Sequence, residues 1–164
     1  MNSIELVNVA SRWIHIMTAI VVVGGTCFVR FVLLPAAEKL SAAEHDQLRG
    51  FIMRTWRKFV HGGIVLFLAS GLYNYLAVAV PSHRGDRVYH ALMGVKITLA
   101  FVVFFLASVL VGRSAAFETL RRDGKKWLLV LIGLAAVIVL ISSFLKVTRP
   151  GHPAEPQPAH VSAN

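Results

Sequence analysis

The sequence predicts an all-α fold, a bundle of four transmembrane helices. Hydrophobic residues make up 56% of the 164 residues and charged residues only 15%, whereas soluble domains carry about 25% charged residues. The mean hydropathy is +0.66. The chain also contains four apolar stretches, each close to the ~20 residues that a helix needs to cross the hydrocarbon core of a bilayer.

The four predicted spans follow one another at short intervals, at residues 10–34, 58–80, 88–112 and 127–147. Each is too long for a buried helix of a soluble protein and too apolar all round for an amphipathic one. Pro35 and Pro81 stand where the first and second helices are expected to end. After the membrane domain 1–147, the Pro- and His-containing segment 148–164 is predicted to be a disordered tail.

The distribution of Lys and Arg predicts the orientation of the bundle. Eleven of the 17 basic residues fall within 30–58 and 113–126, around the first and third loops, and five lie near the opposite ends of the helices. Because cytoplasmic loops carry an excess of Lys and Arg, these two loops are expected in the cytoplasm and both termini outside. The basic residues of the cytoplasmic loops then explain the net charge of +9. The sequence has no soluble basic segment with interleaved aromatic residues of the kind that indicates nucleic-acid binding.

Missing motifs limit the chemistry available to the chain. None of the eight acidic residues falls deep within a span, which argues against a carboxylate relay through the membrane. A single cysteine, Cys27, excludes a disulfide scaffold, and neither a Cys-x-x-Cys pair, a dinucleotide-binding motif nor a P-loop is present. Imidazole, amine and thioether groups remain, and imidazole and thioether donors suit copper or haem iron.

Ionisable side chains at membrane depth are costly, so each is a candidate functional residue. His15 shares a stripe with Ala19 on its helix, and Lys96 shares a stripe with Tyr89 and Ala107 on its own. Both side chains are therefore expected to point into the bundle. Alternatives stay open for both residues. The His15 imidazole would then only donate a hydrogen bond to a neighbouring carbonyl, and the Lys96 amine would extend to the headgroups.

The remaining candidates lie towards the two ends of the spans. His90 and Met93, three residues apart on the third helix, can share one face, and with His15 they form the predicted outer-leaflet set of metal ligands. His61 and Arg30 are placed near the cytoplasmic end, where contacts with headgroups are the alternative to a site. Three tryptophans are expected in the interfacial belts, namely Trp13, Trp56 and Trp127.

Several short motifs resemble those of CopD-type bacterial membrane proteins, and the likeness covers roughly residues 10–148. They are Arg12-Trp-Ile-His15, Val22-Val-Gly-Gly25, Leu33-Leu-Pro35, Ala69-Ser-Gly-Leu-Tyr-Asn74 and Gly94-Val-Lys96-Ile-Thr-Leu99. The resemblance implies a protein of the bacterial inner membrane that handles copper without catalytic turnover, together with a periplasmic metal-binding partner. His15, His90 and Met93 would then bind the metal, and Lys96 would tune the site or exclude cations.

The chain also resembles the small four-helix HemJ-type proteins, which pair a histidine in the first helix with a lysine in the third, as His15 and Lys96 do here. Where that family continues Leu-Pro-Arg-Leu-Phe-Val-Tyr-His, this chain has Ala-Ala-Glu-Lys after Leu33-Leu-Pro35. This resemblance implies a membrane oxidoreductase that binds haem b, with His15 as an axial ligand and Lys96 on a propionate. A third alternative is a structural subunit without a ligand. The glycine pairs in the spans would permit a homo-oligomer.

Overall fold

A computed structural model describes residues 2–149 of the protein, and within that range the chain is helical and has no strand. The long helices are α1 (Ser3–Ala37), α2 (Ala42–Ser82), α3 (Arg87–Val111) and α4 (Gly124–Thr148). A short 3₁₀ turn, Ala115–Phe117, and a short helical segment, Glu118–Arg122, connect α3 to α4. All four long helices are apolar enough to cross a membrane, which confirms the predicted all-α class with four spans.

Helices that follow each other in sequence pack side by side, and α4 returns to contact α1. The helices α1 and α3 therefore face each other across the diagonal of the bundle. A cluster of buried apolar side chains fills the end that carries the first and third loops, formed by Val60, Leu106, Ala107, Val111 and Leu131. Many large apolar side chains point outward, as expected of helices surrounded by lipid.

Both prolines at the predicted helix ends lie inside helices instead. The N–H of Leu34 bonds to the carbonyl of Val29, and the N–H of Val80 bonds to the carbonyl of Tyr75, one residue further back than in an α-helix. A proline ring clashes with the carbonyl four residues before it, and each wider π turn displaces the carbonyls just ahead of a proline. The helices consequently continue through both prolines and end at Ala37 and Ser82.

The contact between α1 and α2 follows a seven-residue repeat, and we call this contact the seam. The pairs that face each other, in antiparallel order, are Ser11 with Ser70, Thr18 with Gly63, and Gly25 with Trp56. A Cβ on Gly63 would lie 2.5 Å from Val22 Cγ2, and one on Gly25 would overlap the Trp56 indole. Small residues with this period let two helices approach closely in a left-handed pair.

Candidate functional site

The polar site on α1 is built around His15. Its Nδ1 lies 2.9 Å from Ser70 Oγ on α2, and the Ser70 hydroxyl donates to the Leu66 carbonyl over 2.6 Å. A serine hydroxyl carries one proton, so in this arrangement His15 Nδ1 donates and Ser70 accepts. The neutral imidazole is therefore held in the tautomer with its proton on Nδ1, which leaves a lone pair on Nε2.

Residues of α2 also fix the plane of the imidazole ring. A Cβ on Gly71 would lie 3.3 Å from His15 Cε1, so the glycine leaves the space that the ring fills. Phe67 meets the imidazole edge to face, with ring centroids 5.0 Å apart, and Phe67 in turn contacts Phe104 of α3 at 5.7 Å. The imidazole is thus held in the contact between α1 and α2, one aromatic ring away from α3.

Lys96 lies on α3, the helix diagonal to α1 in the bundle. Its side chain is half-buried. Among residues 2–149, Lys96 forms no ion pair. Phe67 and Phe104 connect the imidazole of His15 to α3, the helix that carries Lys96.

Two further hydrogen bonds join α1 to α2 along the seam near His15. Their partners on α2, Ser70 and Tyr73, were not predicted from the sequence. The Tyr73 hydroxyl donates to Asn8 Oδ1 over 2.9 Å, and Ser11 Oγ donates to the Ser70 carbonyl over 3.3 Å. The available signal was the seven-residue spacing of small and polar residues within otherwise apolar spans. This spacing marks the face of each helix that forms the seam, and the register found in the structure places Ser70 opposite Ser11.

The other two predicted metal ligands lie towards the end of the bundle that carries the second loop. His90, in the first turn of α3, is bonded through Nε2 to the His83 carbonyl over 3.1 Å, and Met93 follows one turn later, half-buried. His15, by contrast, lies in the fourth turn of α1. No hydrogen bond or ring contact joins it to His90, and the described part of the chain holds no metal-binding group of three His, Cys, Asp or Glu residues.

The same end of the bundle is closed by a second polar cluster around Asp86. Its carboxylate accepts two hydrogen bonds of 2.9 Å from Arg149 Nη1. It also accepts one of 3.0 Å from the N–H of Tyr89, and through this bond Asp86 caps the N-terminus of α3. The Tyr89 N–H, more than Arg149, holds the pKa of this carboxyl below its ordinary value, against the opposing effect of burial. His83 Nδ1 lies 3.0 Å from the Ala79 carbonyl oxygen, and His83 Nε2 lies 3.0 Å from that of Arg149.

Arg149 therefore connects the end of α4 to the loop between α2 and α3, although the sequence assigned it to the tail. Thr148, assigned to the same tail, is the last residue of α4. The rest of the predicted disordered tail, 150–164, lies outside the described residues.

The two polar residues predicted near the cytoplasmic end, His61 and Arg30, each bond to a backbone carbonyl. His61 is exposed and bonds through Nδ1 to the carbonyl of Arg57 on its own helix, over 2.8 Å. Arg30 donates from Nε to the Lys125 carbonyl over 3.0 Å. Trp56, expected in an interfacial belt, packs its indole on Gly25 and against the buried cluster.

Comparison of the chain with protein-family models, with curated proteins and with solved structures gave no match. The function of the protein is therefore inferred from the chemistry of His15, Lys96 and their surroundings.

Proposed function

We propose that the protein is a multi-pass membrane protein that binds haem b in the bundle interior, with His15 Nε2 as an axial ligand and Lys96 as the partner of a propionate. The tautomer of His15 carries this proposal. Because Ser70 gives its only proton to Leu66, the imidazole keeps its own proton on Nδ1 and offers Nε2. Histidines that ligate metals almost always donate their other ring N–H in this way.

The few donor side chains around His15 also favour haem over a copper site whose ligands all come from the protein. A porphyrin brings four nitrogen donors and needs only one or two axial ligands from the chain, whereas the copper site predicted here needs three side chains at one point. Lys96 has no ion-pair partner within residues 2–149, and an amine at membrane depth gains from an anionic neighbour. A bound haem would supply one-electron chemistry, while His15 and Lys96 would bind and orient it.

Copper handling of the CopD type is the second candidate, and the relation between His90 and Met93 favours it. The two side chains are half-buried and one turn apart on α3, so they offer a nitrogen and a thioether donor on neighbouring turns. Together with His15 they would form the outer-leaflet copper site, served by a periplasmic metal-binding partner.

The distribution of basic residues extends the proposal to topology. The first and third loops lie in the cytoplasm, both termini lie outside, and the membrane is the bacterial inner membrane. The bias of Lys and Arg towards cytoplasmic loops supports this orientation.

An absorption spectrum of the full chain, purified in detergent and analysed for metals, tests both candidates. We expect a Soret band that His15→Ala abolishes and that Lys96→Met retains with weaker haem binding. His61→Ala is the matched control, because that histidine bonds only within its own helix, and it should leave the spectrum unchanged. Near-stoichiometric copper without a Soret band, lost in His90→Ala, would favour the second candidate. A purified sample that contains neither haem nor copper would contradict both candidate functions.

A further inference from the structure

A cavity of about 220 Å³ lies at the end of the bundle that carries the first and third loops. It is enclosed by the ends of α1 and α3, the start of α4 and the first half of α2. Much of its wall is apolar, and Leu33, Leu110 and Leu128 contribute to it. The same wall contains four cationic side chains, those of Arg49, Arg121, Arg122 and Lys125. A cavity that combines an apolar wall with this much positive charge is suited to an amphipathic anion.

The positive charge of the cavity is neutralised only in part. Lys125 pairs with Glu38, but Arg49, Arg121 and Arg122 form no ion pair within residues 2–149. Arg121 Nη1 is buried and has no hydrogen-bond acceptor in that range. Because a buried N–H without an acceptor costs free energy, this guanidinium favours an anionic oxygen beside it.

The N-terminus of α4 contributes a second, independent set of donors. The helix begins at Gly124, in the cavity wall, and no side chain caps its first turn. The Asp123 carboxylate lies 3.7 Å from Lys126 Nζ instead. The N–H groups of Lys126 and Trp127 bond to the Asp123 carbonyl. The N–H groups of Gly124 and Lys125 and the dipole of a 25-residue helix attract negative charge, so the cavity wall has anion-binding groups from two sources.

An open apolar groove of about 460 Å³ continues from the cavity between α1 and α2. The two spaces share Val29, Leu33, Ile52 and Trp56 in their walls. Further along, the groove is lined by exposed phenylalanines, Phe28, Phe51 and Phe59. A phosphate ion would use the cavity alone, whereas an acyl chain would also cover the groove.

We propose that the cavity and the groove together bind one anionic phospholipid. Its phosphate lies among Arg49, Arg121 and Arg122 at the start of α4, and one acyl chain runs along the groove past Trp56. Basic pockets between transmembrane helices recognise anionic headgroups in this way. The lipid site is separate from the site at His15, and it stands whether or not that site binds haem.

Quenching of Trp56 by brominated lipids tests the proposal in the full chain. Trp13→Phe and Trp127→Phe leave Trp56 as the only indole, and the protein is reconstituted in mixed vesicles of phosphatidylglycerol and phosphatidylcholine, with bromine on the chains of one lipid or the other. We expect brominated phosphatidylglycerol to quench Trp56 about fivefold more effectively, at equal mole fraction, than brominated phosphatidylcholine. Equal quenching by the two lipids would overturn the proposal.

Variants of the arginines connect the preference to the cavity. Arg121→Gln should reduce it about fivefold, and Arg49→Gln, at an exposed position where folding is not at risk, should act in the same direction. Arg84→Gln, in the exposed second loop, is the matched control and should keep the full preference. A preference that survives both cavity variants would overturn the proposal. Loss of the preference on adding inorganic phosphate, but not chloride at matched ionic strength, would assign the site to the free anion instead.

Discussion

His15 Nδ1 on α1 lies 2.9 Å from Ser70 Oγ on α2, and Ser70 gives its own proton to the Leu66 carbonyl. One serine hydroxyl thus decides which ring nitrogen of the histidine is free. The group that prepares His15 for a ligand comes from a different helix, 55 positions away in the chain. The free nitrogen is therefore a property of the seam between α1 and α2 as much as of His15.

Ser70→Ala should weaken ligand binding at His15. Without the Ser70 hydroxyl the imidazole loses the acceptor that holds its proton on Nδ1, and we expect haem affinity to fall by about 10- to 100-fold, as for other partners of metal-ligating histidines. Titration of the purified protein with haem, followed at the Soret band, measures the change. Ser142→Ala is the control, since Ser142 bonds only to the Ile138 carbonyl on its own helix. Equal affinity in the parent and Ser70→Ala would contradict the role of Ser70.

Gly25→Ala should destabilise the bundle. The added Cβ would overlap the Trp56 indole, and overpacking of this kind costs about 1–3 kcal/mol. The free energy of unfolding, measured by denaturant titration in mixed micelles, reports the loss.

Gly24→Ala is the matched control for this change, because a Cβ at Gly24 would meet no atom within 4 Å and alanine favours the helix. Combining Gly25→Ala with Trp56→Ala should cost less than the two single changes added together. Strict additivity, or equal losses at the two glycines, would show that the indole does not limit the packing of α1 on α2.

Stability should fall in acid because of Asp86. The Tyr89 N–H and Arg149 hold the pKa of this carboxyl below its ordinary value, so the folded protein binds a proton more weakly than the unfolded chain, whose aspartates have a pKa of about 3.9. The contribution of Asp86 is complete above about pH 4 and is lost as the pH falls through the lower pKa of the folded state. Thermal unfolding between pH 7 and pH 3 checks this. Asp86→Asn should flatten that acid limb, and Asp123→Asn, at a residue whose side chain makes no cap hydrogen bond, should leave it unchanged.

Labelling of single cysteines tests the proposed orientation. In a Cys27→Ser background, a membrane-impermeant maleimide should label Arg84→Cys in intact spheroplasts, because the second loop lies outside. It should label Ser114→Cys only after the membrane is opened, because the third loop lies in the cytoplasm. Both positions are exposed, so access to the thiol depends on the side of the membrane. The opposite pattern would reverse the topology.

The number and approximate place of the spans followed from sequence because hydropathy is a local property. The inward face of α3 followed as well, since Tyr89 and Ala107, on the predicted stripe of Lys96, are buried. The passage of α1 and α2 through Pro35 and Pro81 did not follow, because a proline in sequence gives no sign that a π turn will make room for it.

The site was predicted in part for the same physical reason. Local chemistry singles out His15 and Lys96, whereas their partners depend on how one helix is placed against another. Ser70 is an ordinary polar residue in an apolar span until the register puts it opposite Ser11. In the sequence, Trp56 is a tryptophan near the end of a span, which is typical of an interfacial belt. Only its contact with Gly25 places its indole in the bundle. No spacing along a single helix carries this information.

The pairing of Trp56 with Gly25 also protects the first two helices against slippage. A repeat of seven residues allows α2 to slide by one repeat in either direction while small residues still face each other along much of the contact. Such a slide would bring the indole opposite Thr18 or Val32, and both carry branched side chains where the indole needs empty space. The indole of Trp56 and the absence of a side chain at Gly25 thus select one of the three alignments.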